Sequence, residues 1–282
     1  MLDSYNRTLN YLRISVTDRC NLKCIYCIPE GCETRLNHDE ILSYEEIVEI
    51  TKTAVKFGID KVRITGGEPL VRKDIIVLVK MLAKIEGIKD LSMTTNGILL
   101  SEMAHKLKEA GLQRVNISLD TLNADKYYQI TRGGDINKVF EGINAAKNAN
   151  LNPIKINCVI KHSKDEKDAT EVAKYCKENN LEVRYIHQMN LKSGHFEVVE
   201  GGDGGNCSKC NRLRLTADGK LKPCLFSDIE FDIKKLGIEN SFLLAAKNKP
   251  LCGSFNNKNQ FNNIGGWLWK NWHILIRKGK QI

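Results

Sequence analysis

Short apolar runs alternate with amphipathic stretches along the first two thirds of the chain. Strand-like runs stand at Tyr11–Val16, Lys61–Thr65, Asp90–Thr94, Arg114–Leu119, Ile154–Ile160 and Glu182–Met189, and the segments between them carry helical spacing. In the first helix the local signals agree. Ser43 and Glu46 form a capping box, Ile47, Ile50, Ala54 and Phe57 recur at helical spacing, and Gly58 can close the end. Further helices are predicted over Lys73–Lys84, Ser101–Ala110, Ile136–Asn148 and Lys164–Glu178. Six strands alternating with helices imply an α/β fold with parallel pairing and right-handed crossovers. Six units fall short of the eight that close a full barrel, so a partial (β/α)6 barrel and a flat doubly wound sheet both satisfy the pattern.

After Met189 the rhythm breaks. A Gly-rich stretch, Gly201-Gly202-Asp203-Gly204-Gly205, precedes a predicted hairpin of Arg212–Thr216 and Leu221–Leu225, and acidic and apolar residues at Asp228–Leu236 suggest a short helix. The organisation expected is a main unit over 1–189, a smaller module over 190–266 and a tail over 267–282. That tail holds all three tryptophans (Trp267, Trp269, Trp272) with four Lys/Arg and no acid, and reads as an appended segment.

Composition narrows the class. A chain of 282 residues, 42% of them hydrophobic, is neither disordered nor collagen-like and needs no disulfide staples. The first eight residues hold no apolar signal core, and no run approaches the ~18 apolar residues of a membrane span. A soluble, cytoplasmic protein is expected, and that setting keeps thiols reduced. The ten cysteines therefore need another reason. Six cluster as Cys20, Cys24, Cys27 and Cys207, Cys210, Cys224, which suggests metal; Cys32, Cys158, Cys176 and Cys252 are scattered. The net charge, 43 − 34 = +9, favours an anionic partner without choosing among nucleotide, phosphate and nucleic acid.

In parallel α/β folds, chemistry gathers beyond the C-terminal ends of the strands. Here those ends run into Cys20-x3-Cys24-x2-Cys27, Gly66-Gly67-Glu68-Pro69, Thr94-Thr95-Asn96-Gly97 and Ser118-Leu119-Asp120, while the fifth strand carries Lys155 and the sixth Arg184, His187 and Met189. Three thiolates within eight residues can hold three irons of a cubane and leave the fourth open. A structural zinc takes four protein ligands, so iron–sulfur is the better fit to this trio with Tyr26 inside it. Blander roles stand beside the chemical ones: a helix cap for Glu68, turn residues for Asn96 and Asp120, a packing residue for His187, a core methionine for Met189.

The cysteine trio followed by Gly66-Gly67-Glu68-Pro69 resembles the radical S-adenosylmethionine superfamily. Tyr11–Cys20, Arg63–Pro69, Ser118–Leu122 and Cys207-x2-Cys210-Asn211 through Thr216 together resemble its GTP 3′,8-cyclase family, over most of residues 7–266. The resemblance implies a partial TIM-like barrel with a small C-terminal module carrying a second iron–sulfur cluster. It implies two [4Fe–4S] clusters, on Cys20, Cys24, Cys27 and on Cys207, Cys210, Cys224, with a zinc ribbon completed by Cys252 or His195 as the alternative for the second. It implies S-adenosylmethionine against Tyr26, Gly67, Glu68, Ser118 and Met189, the glycines letting backbone approach its methionine end. GTP would lie against Arg13, Lys61, Arg63, Thr94, Lys155, Arg184, Arg212 and Arg214, a mostly cationic set suited to a triphosphate, with Arg13, Arg212 and Arg214 in the catalytic role.

The implied reaction abstracts the ribose 3′ hydrogen of GTP with a 5′-deoxyadenosyl radical and joins that carbon to guanine C8. The product is (8S)-3′,8-cyclo-7,8-dihydroguanosine 5′-triphosphate, on the route to molybdopterin. Implied partners are a flavodoxin- or ferredoxin-type reductant and a downstream cyclic pyranopterin monophosphate synthase; nucleic acid is not the expected partner, and a homo-oligomer stays open. A radical enzyme of the same architecture acting on a peptide or modified nucleotide is the alternative. Three departures from the family motivate it: a short connection from Met189 to Cys207, the altered run Ile186-His187-Gln188-Met189-Asn190, and a Gly265-Gly266 pair that is followed by 16 further residues.

Overall fold

The computed structural model describes residues 1–27, 36–189 and 197–253. Cys32, His195, Gly265-Gly266 and the tryptophan-rich tail lie outside the described residues. Six strands, β1 (Tyr11–Ser15), β2 (Lys61–Thr65), β3 (Asp90–Thr95), β4 (Arg114–Ser118), β5 (Lys155–Ile160) and β6 (Glu182–His187), pair in chain order and all in parallel. A doubly wound sheet would reverse direction partway, whereas this one advances one way, as a barrel does. The crossovers carry α1 (Tyr44–Lys56), α2 (Ile75–Ala83), α3 (Leu100–Glu109), α4 (Ala124–Thr131), α5 (Ile136–Asn148) and α6 (Lys167–Glu178).

The capping box at Ser43 and Glu46 is in place, and Gly58 takes the left-handed φ of 88° that ends α1. Helix α4 has no counterpart in the sequence pattern. It is short, buries only Tyr127 and Thr131, and starts because the Asn123 side chain caps the Lys126 amide.

Beyond β6 the chain returns to the other side of the sheet. Strand β7 (Arg212–Leu215) pairs in parallel with β1, and the short strands β8 (Lys220–Lys222) and β9 (Phe231–Asp232) follow it antiparallel. The full order is β6-β5-β4-β3-β2-β1-β7-β8-β9, one open sheet of nine strands. Of the helix expected over Asp228–Leu236, only the second half forms: α7 (Ile233–Leu236), capped by Asp232, follows the short strand β9 and precedes α8 (Ile238–Lys247). Phe231 pairs with Leu221 and is partly buried against the core, so packing overrides a weak helical pattern.

The sheet has two unlike faces. Leu12, Ile14, Val62, Ile64, Leu91, Met93, Val115, Ile117, Ile156, Leu213 and Leu215 are at most 2% exposed and pack with Ile47, Leu78, Leu107, Ile143 and Val172 of the helices. The alternate positions are polar except Val159 and Ile186: among them are Arg13, Arg63, Ser92, Asn116, Lys155, Arg184 and Arg214. Parallel strands covered on both faces read as continuous apolar runs. The alternation here means that helices cover one face only and leave the other as a mostly polar lumen.

Two devices finish the shell. A strap, residues 197–205, folds back over the outer edge of β6, where Tyr185 and Glu200 exchange amide hydrogen bonds of 3.0 and 3.1 Å. Gly201 there has φ of 77°, and an added Cβ would stand 2.7 Å from the Val183 carbonyl oxygen. His187 Nδ1 lies 3.2 Å from Glu197 of the strap, which gives this histidine its packing role. At the opposite end, Arg7 pairs with Asp3 at 2.6 Å and donates to the carbonyls of Cys207 (2.6 Å), Pro250 (2.7 Å) and Leu251 (2.9 Å). Lys249, also buried, donates from Nζ to the carbonyls of Arg212 and Pro223 at 2.8 and 2.6 Å.

Arg7 thus joins three segments while balancing a fully buried carboxylate. Replacing it with alanine strands Asp3 and should cost about 3 kcal/mol, measured as a lower urea midpoint of the full chain. Arg7→Lys should recover part of that loss, because it restores the charge without the fork.

Candidate functional site

The upper mouth of the lumen lies beyond the C-terminal end of β1. There the Cys20–Cys27 loop is built mainly from backbone contacts. The Lys23 and Ile25 amides donate to the Thr131 and Ile130 carbonyls of α4, at 3.1 and 2.9 Å, so the unanticipated helix is the loop's backing. Cys20 Sγ accepts from the Leu22 amide at 3.3 Å and from Asn96 Nδ2 at 3.8 Å. Gly67 donates to the Thr17 carbonyl at 2.8 Å, and any Cβ on it would collide with the Arg19 carbonyl. What the described atoms press against Gly67 is therefore the cysteine loop itself.

Glu68 is 1% exposed and accepts from the Leu70 amide (3.0 Å), Thr95 Oγ1 (2.8 Å) and the Asn96 amide (2.6 Å). Burial raises its pKa to about 7 against these three hydrogen bonds. Its capping role is thus present, and through Asn96 it reaches the Cys20 sulfur. Tyr26 donates to Asp120 at 2.7 Å, and Asp120 accepts from the Val159 amide at 2.8 Å, which ties the loop to β4 and β5. Burial, reinforced by Asp120 and the neighbouring thiols, pushes Cys24 and Cys27 up to about 12, and burial raises Cys20. Three thiolates here need a cationic partner in their midst, as iron provides. Among the described residues no three such side chains converge as a single ion requires, so the donor chemistry and the walls carry the fit to a cluster.

The second trio sits at the other mouth. Cys207 and Cys210 precede β7, which runs parallel to β1, and Cys224 follows β8, which runs antiparallel. All three therefore lie near the N-terminal end of β1, separated from the first trio by a strand whose rise from Tyr11 to Ser15 is about 13 Å. Burial pushes the Cys210 thiol up, but Lys249 and Arg212 outweigh it and hold the thiol below its ordinary value. A fourth thiol is present: Cys252 Sγ lies 3.4 Å from Cys207 Sγ.

Between the mouths the registers stack cations. Arg214, Arg13 and Arg63 are direct cross-strand partners, continuing through Ser92 to Arg114. One layer below, Arg212, Tyr11 and Lys61 are aligned, with the guanidinium carbons of Arg63 and Arg212 at 5.4 and 5.7 Å from the Tyr11 ring centroid. Burial, reinforced by Arg214 and Arg212, pulls Arg13 down to about 10. Burial with Arg13, Arg114 and Arg184 nearby pulls Arg63 to about 10. Arg184 and Arg214 are lowered from the same cause, burial first. Among the described residues, Arg13 Nε, Arg184 Nε, Thr94 Oγ1 and Tyr11 Oη are buried without a hydrogen-bond partner.

The structure thus gathers Arg13, Lys61, Arg63, Thr94, Arg184, Arg212 and Arg214 on one lumen wall system. Lys155 lines it too, but is already paired with Glu182. Ser118 stands near the upper mouth on the same face as Asn116. Met189 is 38% exposed just past β6, which rules out the core-methionine reading. Sequence reasoning passed over Tyr11, Asp90, Asn116 and Arg114, the last a two-point partner of Asp90 at 2.9 and 2.6 Å. The i, i+2 alternation that places Arg13 and Arg63 would have found all four. Asp120, read as a turn residue, proves to be the anchor of Tyr26.

Known proteins resemble this chain in sequence and in fold. Residues 14–176 match the Radical SAM superfamily, and residues 143–244 match Molybdenum Cofactor Synthesis C. Proteins described as GTP 3′,8-cyclase are similar across most of both chains. That of Thermodesulfovibrio yellowstonii is 45% identical, covering 84% of this chain and 88% of that one; that of Petrotoga mobilis is 41% identical, covering 93% and 97%. Among solved structures, Streptococcus suis SuiB bound to S-adenosylmethionine superposes with a TM-score of 0.66 at 16% identity, over 87% of this chain and 67% of that chain. Native anSMEcpe with bound AdoMet and Kp18Cys peptide gives 0.60 at 19% identity, over 90% and 84%. At these identities the structures share the fold.

Two outcomes follow from the electrostatics. Arg13→Gln removes one of the crowded cations and should raise the melting temperature of the ligand-free chain by a few degrees. Glu68 has a folded pKa above its unfolded value of 4.5, so the fold favours its protonated form, and its contribution falls as pH rises from 4.5 to about 7. Urea denaturation of the metal-free chain should show that Glu68→Gln flattens this slope, by roughly 3 kcal/mol across the window.

Proposed function

The chain belongs to the radical SAM superfamily and, within it, to the family of the GTP 3′,8-cyclases, and on that premise we propose that it converts GTP to (8S)-3′,8-cyclo-7,8-dihydroguanosine 5′-triphosphate for molybdenum cofactor biosynthesis. Membership implies S-adenosylmethionine and a [4Fe–4S] cluster. Cys20, Cys24 and Cys27 would hold that cluster, and Cys207, Cys210 and Cys224 a second one at the lower mouth. Bound together, the first cluster and S-adenosylmethionine supply a one-electron cleavage that furnishes a 5′-deoxyadenosyl radical.

The chain's own residues do the positioning. Tyr26, Gly67, Ser118 and Met189 surround the upper mouth, where the cofactor would bind, and Tyr26 is fixed by Asp120. Arg13, Lys61, Arg63, Arg184, Arg212 and Arg214 offer donors to a triphosphate, with Thr94 Oγ1 among the unpartnered groups. Burial lets each of these bonds act at low dielectric, and the sheet keeps bulk water from a reactive carbon centre. The carrying observation is a column of cations, without ion pairs among the described residues, between two thiol trios at opposite mouths. A reductant of flavodoxin or ferredoxin type would feed the upper site, and a cyclic pyranopterin monophosphate synthase would take the product.

The test is anaerobic reconstitution of the full chain followed by turnover with S-adenosylmethionine, dithionite and GTP. About eight irons per chain and a cyclised GTP product are expected. Formation of 5′-deoxyadenosine with GTP returned unchanged overturns the substrate assignment. Arg214→Ala should weaken GTP binding roughly 10- to 100-fold, as loss of a charge-assisted hydrogen bond does, with iron content unchanged.

A further inference from the structure

We propose that Cys252 and Cys207 form a reversible disulfide when the lower trio carries no cluster, making Cys252 a redox latch on that site. The argument begins with placement. The two sulfurs are 3.4 Å apart, in contact though not bonded, and belong to residues 45 positions apart in sequence. A disulfide needs about 2.05 Å, a closure that side-chain rotation can supply.

The contact is held by the surrounding framework. One nitrogen of Arg7 donates both to the Cys207 carbonyl (2.6 Å) and to the Leu251 carbonyl (2.9 Å), the residue before Cys252. Its other terminal nitrogen holds the Pro250 carbonyl at 2.7 Å, and the next residue back, Lys249, is buried between the Arg212 and Pro223 carbonyls. Two buried cations therefore fix the segment carrying Cys252 against the segment carrying Cys207. The chain entropy of bringing the thiols together is already spent in folding. Cys252 is exposed and Cys207 half-buried, so a soluble oxidant meets Cys252 first.

With a small disulfide such as oxidised glutathione, the chemistry balances by exchange. The Cys252 thiolate attacks one sulfur of the oxidant and expels one thiol; Cys207 then attacks the mixed disulfide and expels the second. The chain gives up two protons and two electrons, and the oxidant becomes two thiols. The product removes Cys207 from the trio and leaves Cys210 and Cys224 as a pair. A reducing dithiol reverses both steps. The consequence for iron rests on the reading that Cys207 ligates a cluster; the disulfide itself does not.

The experiment treats the full, metal-free chain and its Cys252→Ser variant with oxidised glutathione under anaerobic conditions, maps the crosslinked peptides by mass spectrometry, and then reconstitutes both with iron and sulfide. A Cys207–Cys252 crosslink is expected in the unsubstituted chain. That oxidised chain should take up about four irons fewer than the oxidised variant, and a dithiol should restore them. Cys207 found free, or paired instead with Cys210 or Cys224, overturns the latch. If the fully reduced variant itself falls about four irons short of the fully reduced chain, Cys252 is a ligand and the latch is likewise overturned. A crosslink in a chain that never exceeds about four irons overturns the second cluster and leaves the disulfide standing.

Discussion

Like charges crowded into a half-buried lumen are the constraint around which this molecule is arranged. Arg13, Arg63 and Arg214 are direct cross-strand partners, with Arg212 and Lys61 one layer below. Depressing Arg13 and Arg63 from 12.5 to about 10 corresponds to about 3 kcal/mol each against the charged form. The fold tolerates that because the opposite face of β1 to β5 and β7 is committed to an apolar core. Among the described residues, two lumen cations, Arg114 and Lys155, are neutralised by Asp90 and Glu182, and Arg13, Arg63, Arg212 and Arg214 have no ion pair. A site so unbalanced selects a polyanion by relief as much as by attraction.

The two mouths solve the problem of holding cysteines in different ways. Above, backbone does most of it: Gly67 against Arg19, the loop amides on α4, and one buried carboxylate, Glu68, that gathers an amide on either side of the strand end. Below, long cations reach across: Arg7 and Lys249 thread between segments far apart in sequence and finish on carbonyl oxygens. Rigid backbone packing suits a loop that must hold three sulfurs and a cofactor in one geometry. Cationic staples suit a mouth assembled from the N-terminus, the return strand β7 and the end of α8.

Much of this was legible in the residues. The six parallel strands, the α1 caps, the hairpin and both cysteine trios follow from periodicity and spacing, because each is a local signal. What stayed hidden depends on distant partners. That β7 would join β1 in parallel cannot be seen in a pattern that fits an independent hairpin equally well. Helix α4 buries too little to leave a period. Arg7 and Lys249 look like ordinary charges near the ends of the chain until Asp3 and five carbonyls surround them. Asp120 carries the signature of a turn and acquires its role only when Tyr26 arrives from another loop. Lys155 was expected among the free lumen cations, yet its cross-strand neighbour is Glu182.

The strap on β6 has a meaning beyond packing. An open parallel sheet ends in a strand whose outward amides and carbonyls invite any other extended chain to continue the ladder. Here Glu200 occupies the pairing positions of Tyr185, and Gly201 beside it lies too close to Val183 for another strand to slide in. Residues 197–205 thus act as the hem of the sheet. Colloidal behaviour, in this view, is guarded by Gly201 and Glu200 as much as by surface charge.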